Sequence, residues 1–331
     1  MRGLLPAAWR MTVRPTAHAY WRMRFSIIIT CYNQGKLIKD AVDSALSARR
    51  DSEEIIVVDD GSTDGSRELL RSYGRAVRLV CREINGGAGV ARNCGASVAT
   101  GDFLVFLDGD DVLLPWALDV YQRIVERKEP KLILSRMQWF RGALPRAQAV
   151  AAPQSIRIVE YMDYMRKDRP FGNSASALVI DRRAFHQVSG WLQEMFPMDD
   201  QDLTFRLGDS GRTIQILSPA TVLHREHEAN SIHHIPPFIV VLFRMLERER
   251  QGGYPGGEPR RLERYGLLGG LILHWTKRAV KRGLYRDAAT LLVQGWPMLA
   301  AAIARRCKAV FAGRRPSETL AIQEQGVRLY S

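Results

Sequence analysis

FLVFLDGDD, residues 103–111, runs an unbroken apolar stretch directly into three carboxylates. Phe103–Leu107 has no alternation of apolar and polar residues, which predicts a strand buried on both faces, as in a parallel sheet. The acids then fall at the strand's carboxyl end, where ligands bind in open α/β sheets. Asp108 and Asp110, two apart in an extended segment, point the same way. Gly109 between them lets the backbone bend so that both can face one ion. Hard oxygen ligands with vacant positions suit Mg²⁺ or Mn²⁺ bridging a diphosphate. A plain polar turn is the competing reading, and it leaves three adjacent like charges unexplained.

Upstream the pattern repeats. FSIIIT (25–30) and EIIVV (54–58) read as buried strands, Val77–Cys81 as a third, and Leu37–Leu46, Arg67–Ser72 and Gly89–Ala99 as the helices between them, with Ser66 a candidate N-cap. Strand and helix alternate for over a hundred residues. This predicts an α/β fold with a mostly parallel central sheet between helical layers. After Leu132–Ser135 the rhythm loosens. Residues 141–153 read as a loop, Ser176–Ile180, Thr213–Leu217 and Thr221–Leu223 as strands, and Arg182–Val188 as a short helix. Ile235-Pro236-Pro237 reads as a break, followed by basic helical stretches at Phe238–Arg250, Leu262–Gly283 and Tyr285–Arg306, with a Gly/Pro-rich linker at 251–259. The expected division is a leader over 1–23, a catalytic domain over 24–235 (nucleotide-binding half 24–111, acceptor half 112–235) and a C-terminal helical appendage over 236–331.

Three further clusters carry chemistry. VVDDGSTD (57–64) ends the second strand with two carboxylates that can accept hydrogen bonds from a nucleobase or ribose. An acidic turn capping the next helix is the alternative. NGGAGVARN (85–93) leads glycines into a helix, allowing close approach to phosphate, with Arg92 adding a planar charge. A dinucleotide fingerprint is a poor match, because Arg92 stands where its third glycine would be and the cluster follows the third strand. DDQDLTFR (199–206) places carboxylates side by side, which raises their pKa toward that of a useful base. Acids at a helix N-terminus are the ordinary explanation, and spacing alone does not single one out. Of the clustered histidines His224, His227, His233 and His234, His227, with Asn230 beside it, is the candidate third metal ligand or phosphate contact.

Composition bounds the rest. The 331 residues are 46% hydrophobic and carry a formal charge of +13. The charge fits phosphorylated substrates, an anionic membrane face or nucleic acid, but no nucleic-acid module is recognisable, so nucleic acid is not an expected partner. Four cysteines without a CxxC pair suit a reducing compartment. The apolar start MRGLLPAAWRMTVRP is too broken for a signal peptide, and translation starting at Met11 or Met23 is an alternative. No apolar run reaches a membrane span. The expected location is the cytoplasm, with the basic C-terminal helices docking on a membrane, packing on the domain, or meeting a second subunit.

SIIITCYN (26–33), VVDDGSTD, NGGAGVARN, GDFLVFLDGDD (101–111) and DDQDLTFR occur together in the order seen in family 2 glycosyltransferases of the GT-A fold, and the chain resembles that family over about residues 24–235. Phe171–Trp191 resembles the segment before the acceptor site. The resemblance implies an inverting single-displacement transfer from a nucleotide-diphosphate sugar, with UDP-, GDP- or TDP-linked donors open. It implies that Thr30, with Tyr32 and Asn33, lines the nucleotide pocket and that Asp60 contacts the base. Arg92 would lie near the phosphates, Asp108 and Gly109 on the donor, and Asp108 and Asp110 on the metal. Asp200 would be the base, with Trp191, Asp199 and Asp202 toward a glycan or lipid-linked acceptor. Asp199-Asp200 replaces the family's common Glu-Asp, and the Gln-x-x-Arg-Trp motif of processive synthases is absent, which argues for adding one or a few sugars. A silent sugar-nucleotide-binding scaffold and a sugar nucleotidyltransferase are the alternatives. The latter is poorly served by CYNQGK (31–36) after the first strand.

Overall fold

Phe25–Cys31 (β1) forms the heart of the sheet because nothing in it needs water: every residue of the strand is buried. The structure, a computed structural model, describes residues 23–50, 52–144, 153–170, 172, 174–227, 234–311 and 316–322. All of the expected leader but Met23, together with Asn230 and His233, lies outside these residues. After β1 come α1 (Leu37–Ala48), β2 (Glu54–Asp60), α2 (Ser66–Arg71), β3 (Arg78–Arg82), α3 (Ala88–Val98) and β4 (Phe103–Asp108). The expected elements stand where the apolar pattern put them. One capping detail differs. Gly65, at φ 86°, is the residue before α2, and Ser66 is its first residue, with its hydroxyl on Asp64 at 2.6 Å.

The chain continues through β5 (Val112–Leu113), α4 (Ala117–Lys128), β6 (Leu132–Leu134), β7 (Met137–Phe140), β8 (Ser155–Tyr161), β9 (Leu178–Asp181), α5 (Arg182–Gln187), α6 (Asp199–Arg206), β10 (Thr213–Ser218) and β11 (Val222–Arg225). Four long helices follow: α7 (Ile235–Arg250), α8 (Arg261–Lys281), α9 (Tyr285–Gln294) and α10 (Trp296–Phe311). β12 (Glu318–Ala321) comes last.

Among the described residues the main sheet has nine strands in the order β12-β8-β10-β6-β9-β4-β1-β2-β3. β3, β2, β1 and β4 are mutually parallel, and β6 and β10 run the same way. β9 and β8 are reversed, each antiparallel to its neighbours. β5, β11 and β7 form a second, small sheet. β7, β8 and β12 were not legible as strands. β7 and β12 have four residues each, and Arg157 and Glu160 break the apolar run of β8.

Pro236 and Pro237 begin α7 rather than interrupting the chain. The first turn of a helix leaves its N–H groups unpaired, so proline loses nothing there. The stretch 285–306 is two helices, because Gly295 ends α9 and the chain bends by 76° into α10. The C-terminal helices share the core of the sheet: Phe25, Leu203, Leu242, Leu268 and Leu291 belong to one continuous apolar cluster. α8 and α10 cross so closely that a Cβ on Gly269 would lie 2.0 Å from the Met298 carbonyl oxygen.

Candidate functional site

Thr30 of β1 lies beside Asp108 of β4 on one side and Val58 of β2 on the other. The three parallel strands therefore end together and open on a cleft of about 930 Å³. Thr30, Tyr32, Asn33, Asp60, Arg92, Asp108, Gly109, Asp110, Asp200 and His227 all line it. Gly109 is glycine for a different reason from the bend expected of it: a Cβ there would meet the Thr30 carbonyl oxygen at 2.5 Å and Ile38 at 3.0 Å. The acidic loop is pressed onto the end of β1, and any side chain would push it off.

The glycine loop is folded around a carboxylate rather than left open. The backbone N–H of Gly87 donates to Asp60 at 2.8 Å and that of Gly86 at 3.1 Å, and Arg82 adds an ion pair. Neighbouring Asp59 is wholly buried and held by Arg67 at 2.6 Å. Asn33 adopts a left-handed φ of 51°, and its side chain accepts from the Thr63 N–H at 2.8 Å, tying the end of β1 to the turn after β2. Tyr32 projects at the mouth, 45% exposed.

Three like charges are tolerated at 108–111 because each carboxylate has its own cationic or imidazole neighbour from a distant segment. Arg92 donates to Asp108 at 2.7 Å, His227 Nε2 lies 2.8 Å from Asp110, and His224 Nδ1 lies 2.9 Å from Asp111. Asp111 also accepts from the Arg225 N–H at 3.1 Å, joining the loop to β11. Asp111 was not singled out from the sequence. It is fully buried, and burial pushes its carboxyl up to about 6, with His224 holding it back. Burial pulls the His224 imidazole down, and the hydrogen bond to Asp111 more than reverses this.

Arg92 is the hub of the site. Its guanidinium also donates to Asp199 at 2.9 Å and lies 4.6 Å from the centre of the Trp191 ring. Burial would weaken its charge, but Asp108 and Asp199 raise its pKa above the arginine value, so it stays protonated. Two of its N–H donors serve these carboxylates, and its side chain also lines the cleft. The helix carrying it, α3, is fixed by Asn93, whose side chain accepts from the Trp191 N–H at 2.9 Å and donates to the Trp191 carbonyl at 2.8 Å.

The acidic cluster 199–202 occupies the first turn of α6, where the helix dipole favours negative charge. Its members divide. Asp200 faces the cleft, although only 7% exposed, and accepts from the Gln201 N–H at 2.8 Å. Burial first, then the adjacent Asp199, raises its pKa well above the usual carboxylate range. The acceptor-side placement of Asp199, Asp202 and Trp191 is corrected. Asp199 is buried against Arg92 and Trp191 is 2% exposed behind it. Asp202 is wholly buried between Arg206 at 2.7 Å and the Tyr254 hydroxyl at 2.9 Å. All three build the wall and do not face the cleft. Residues the sequence did not single out complete the opposite wall: Arg169 and Pro170, then Phe238, His274, Trp275 and Arg306 from α7, α8 and α10. Phe238 and Trp275 stack at 4.2 Å. They sit in helical stripes that read as ordinary core, so no motif marks them.

The residues present fit a divalent cation. Asp108 Oδ2 and Asp110 Oδ1 have no hydrogen bond among the described residues, so each carboxylate keeps an oxygen for a ligand. No three His, Cys, Asp or Glu side chains among the described residues form a ready-made cage. Mg²⁺-type sites commonly look like this, taking one or two carboxylates and completing the shell with substrate phosphates and water.

The profile of glycosyl transferase family 2 matches residues 26–188. A putative teichuronic acid biosynthesis glycosyltransferase of Bacillus subtilis, TuaG, is 38% identical over 109 residues, covering 32% of this chain and 42% of that one. The matched segment spans less than half the length of the curated relatives. Staphylococcus aureus TarS 1–349, solved with UDP-GlcNAc, superposes with a TM-score of 0.63 at 17% identity, covering 84% of this chain and 81% of that one. The mannosyltransferase PcManGT from Pyrobaculum calidifontis, solved with GDP-Man and Mn²⁺, gives 0.53 at 17% identity and covers 89% of each chain. At these identities the two structures establish the GT-A-like fold.

Proposed function

We propose that this chain, which belongs to glycosyl transferase family 2, moves a sugar from a nucleotide-diphosphate donor to a hydroxyl of a cell-surface glycan or lipid-linked saccharide, with inversion and without processive extension. One observation carries the reading: Asp108 and Asp110, each with an oxygen to spare, face the same cleft as Asp200, a buried carboxylate of raised pKa. A nucleotide fits the side of the cleft formed by Thr30, Tyr32, Asn33 and Asp60. There Asp60 is engaged on both oxygens by two backbone amides and Arg82, so it would contact a base or ribose by exchanging one of these partners. Asp108 and Asp110, with His227 beside Asp110, would hold Mg²⁺ or Mn²⁺, which when bound supplies neutralisation of charge on the departing diphosphate.

Asp200 takes the proton from the acceptor hydroxyl as that oxygen attacks the anomeric carbon from the face opposite the leaving diphosphate. The raised pKa makes it a stronger base than an ordinary carboxylate. Arg92 holds Asp199 and Asp108 in place on either side of this path, so the loop and α6 keep a fixed separation. The matched relative TuaG, named for teichuronic acid biosynthesis, supports an envelope-glycan acceptor.

The test is a thermal-shift panel of UDP-, GDP- and TDP-sugars with Mn²⁺ and with EDTA, followed by transfer assays. At least one nucleotide should stabilise the protein only with metal. Asp108→Ala and Asp110→Ala should each abolish that shift, and Asp200→Asn should keep it while losing transfer. Metal-independent binding that survives both alanine variants would remove the basis of the proposal.

A further inference from the structure

We infer that the outer face of α9 and α10 docks on an anionic lipid bilayer, lying in the interface rather than crossing it. Each helix uses one side inward: Ala288 and Leu291 of α9, and Met298 and Ala302 of α10, are buried. The opposite side is apolar too. Tyr285, Leu292 and Val293 recur at the spacing of a single helical face and are 69%, 43% and 73% exposed. Trp296 and Ile303 do the same on α10, 67% and 59% exposed. Between them stand Ala289, Ala300 and Ala304, so no charge interrupts the stripe. A monomer in water gains nothing from two consecutive helices that are apolar outward.

Charge names the occupant. Residues 277–308 hold eight Lys or Arg and one acid, Asp287. Lys281, Arg282, Arg286, Arg306 and Lys308 are exposed and make no ion pair with any described residue. A second copy presenting this same face would bring those cations together, whereas anionic headgroups neutralise them. Trp and Leu on an apolar face bordered by Lys and Arg are the composition of an interfacial helix. Among the described residues no single helix is long and apolar enough to cross a bilayer, and the two form a 76° bend at Gly295.

The face adjoins the cleft. Arg306 lines the cleft and lies on α10 three residues after Ile303 of the stripe. If the glycosyl-transfer reading holds, a lipid-anchored acceptor would reach the cleft without leaving the bilayer. The docking itself does not depend on that reading, and its test does not measure transfer.

The experiment is co-sedimentation of the full chain with phosphatidylcholine vesicles and with vesicles that also contain phosphatidylglycerol. Binding should be strong only to the anionic vesicles and should weaken as salt rises. Val293→Asp with Trp296→Asp, and separately Lys281→Glu with Arg282→Glu and Arg286→Glu, should each lower the bound fraction by roughly tenfold or more. Circular dichroism and melting confirm that both variants are folded. Both sets lie on the solvent side, so neither should disturb the core. Equal failure to bind either vesicle, or undiminished binding by both folded variants, overturns the proposal. So does light scattering that finds a dimer split by the Val293→Asp, Trp296→Asp pair, since a second copy would then own the face.

Discussion

Replacing Asp200 by Asn should destroy transfer and at the same time stabilise the fold. Asp200 is 7% exposed, adjoins buried Asp199 and receives one N–H, from Gln201. Asp199 has the Arg92 guanidinium at 2.9 Å, whereas no ion pair reaches Asp200 among the described residues. A buried carboxylate so placed costs stability whenever it is ionised, about 1.4 kcal/mol for each unit by which its pKa is raised. An isosteric amide removes the charge, and relief of about 1–3 kcal/mol is the expected scale. At about 2–4 °C per kcal/mol for a large domain, Asp200→Asn should melt several degrees higher at alkaline pH, above the raised pKa. The sign follows from linkage. The folded pKa lies above the unfolded value, so the parent's penalty is absent below about pH 3.9. It grows as pH rises through the raised pKa and is complete above it. The difference between variant and parent should therefore close on acidification. Paired melts across that range measure it, with transfer falling about 10²–10⁴-fold. An Asn variant no more stable than the parent at alkaline pH, or a gap independent of pH, would show that Asp200 carries no buried charge. Its assignment as base would then lose its physical support.

The other outcomes follow from contacts already described. Gly109→Ala should lose metal-dependent nucleotide binding and about 1–3 kcal/mol of stability, because its Cβ would meet the Thr30 carbonyl oxygen at 2.5 Å; nucleotide titration and denaturant melts read both. Tyr254→Phe should cost about 1–3 kcal/mol in urea unfolding by removing the hydroxyl from buried Asp202. It should change kcat little, because Asp202 does not face the cleft. Arg92→Lys should fail to replace arginine: one ammonium cannot reproduce the fork that reaches Asp108 and Asp199 together. Both nucleotide affinity and melting temperature should fall.

The centre of the parallel half was legible because β1, β2 and β4 are buried on both faces, so burial is written as unbroken apolar runs, whereas edge strand β3 is only partly covered. Phe25–Thr30, Glu54–Val58 and Phe103–Leu107 could be read that way, and their carboxyl ends then located the cleft. The edge escaped for the complementary reason. β8 mixes Arg157 and Glu160 with its apolar residues, and β12 is a four-residue strand from beyond the helices, paired across more than 150 residues of chain. The acids were found as a group, but their separate roles were not. Asp199, Asp200 and Asp202 look alike in sequence. Arg92, Arg206 and Tyr254, from three different segments, decide which of them stays open to the cleft.

That partition explains how an acid-rich cleft holds together without ligands. Left unpaired, Asp108, Asp110 and Asp111 would repel one another and loosen the loop. Arg92 on α3 and His224 and His227 at the end of β11 restrain it from opposite sides. Each of these partners leaves at least one oxygen of Asp108 and Asp110 unused, while Asp111, wholly buried, gives both of its oxygens to the scaffold. The third acid is therefore structural: it anchors the loop to β11 so that the first two can face the cleft. Since Arg92 also holds Asp199 at the start of α6, the acidic loop 108–111 and the helix carrying Asp200 are joined through one guanidinium. Anything that moves one moves the other.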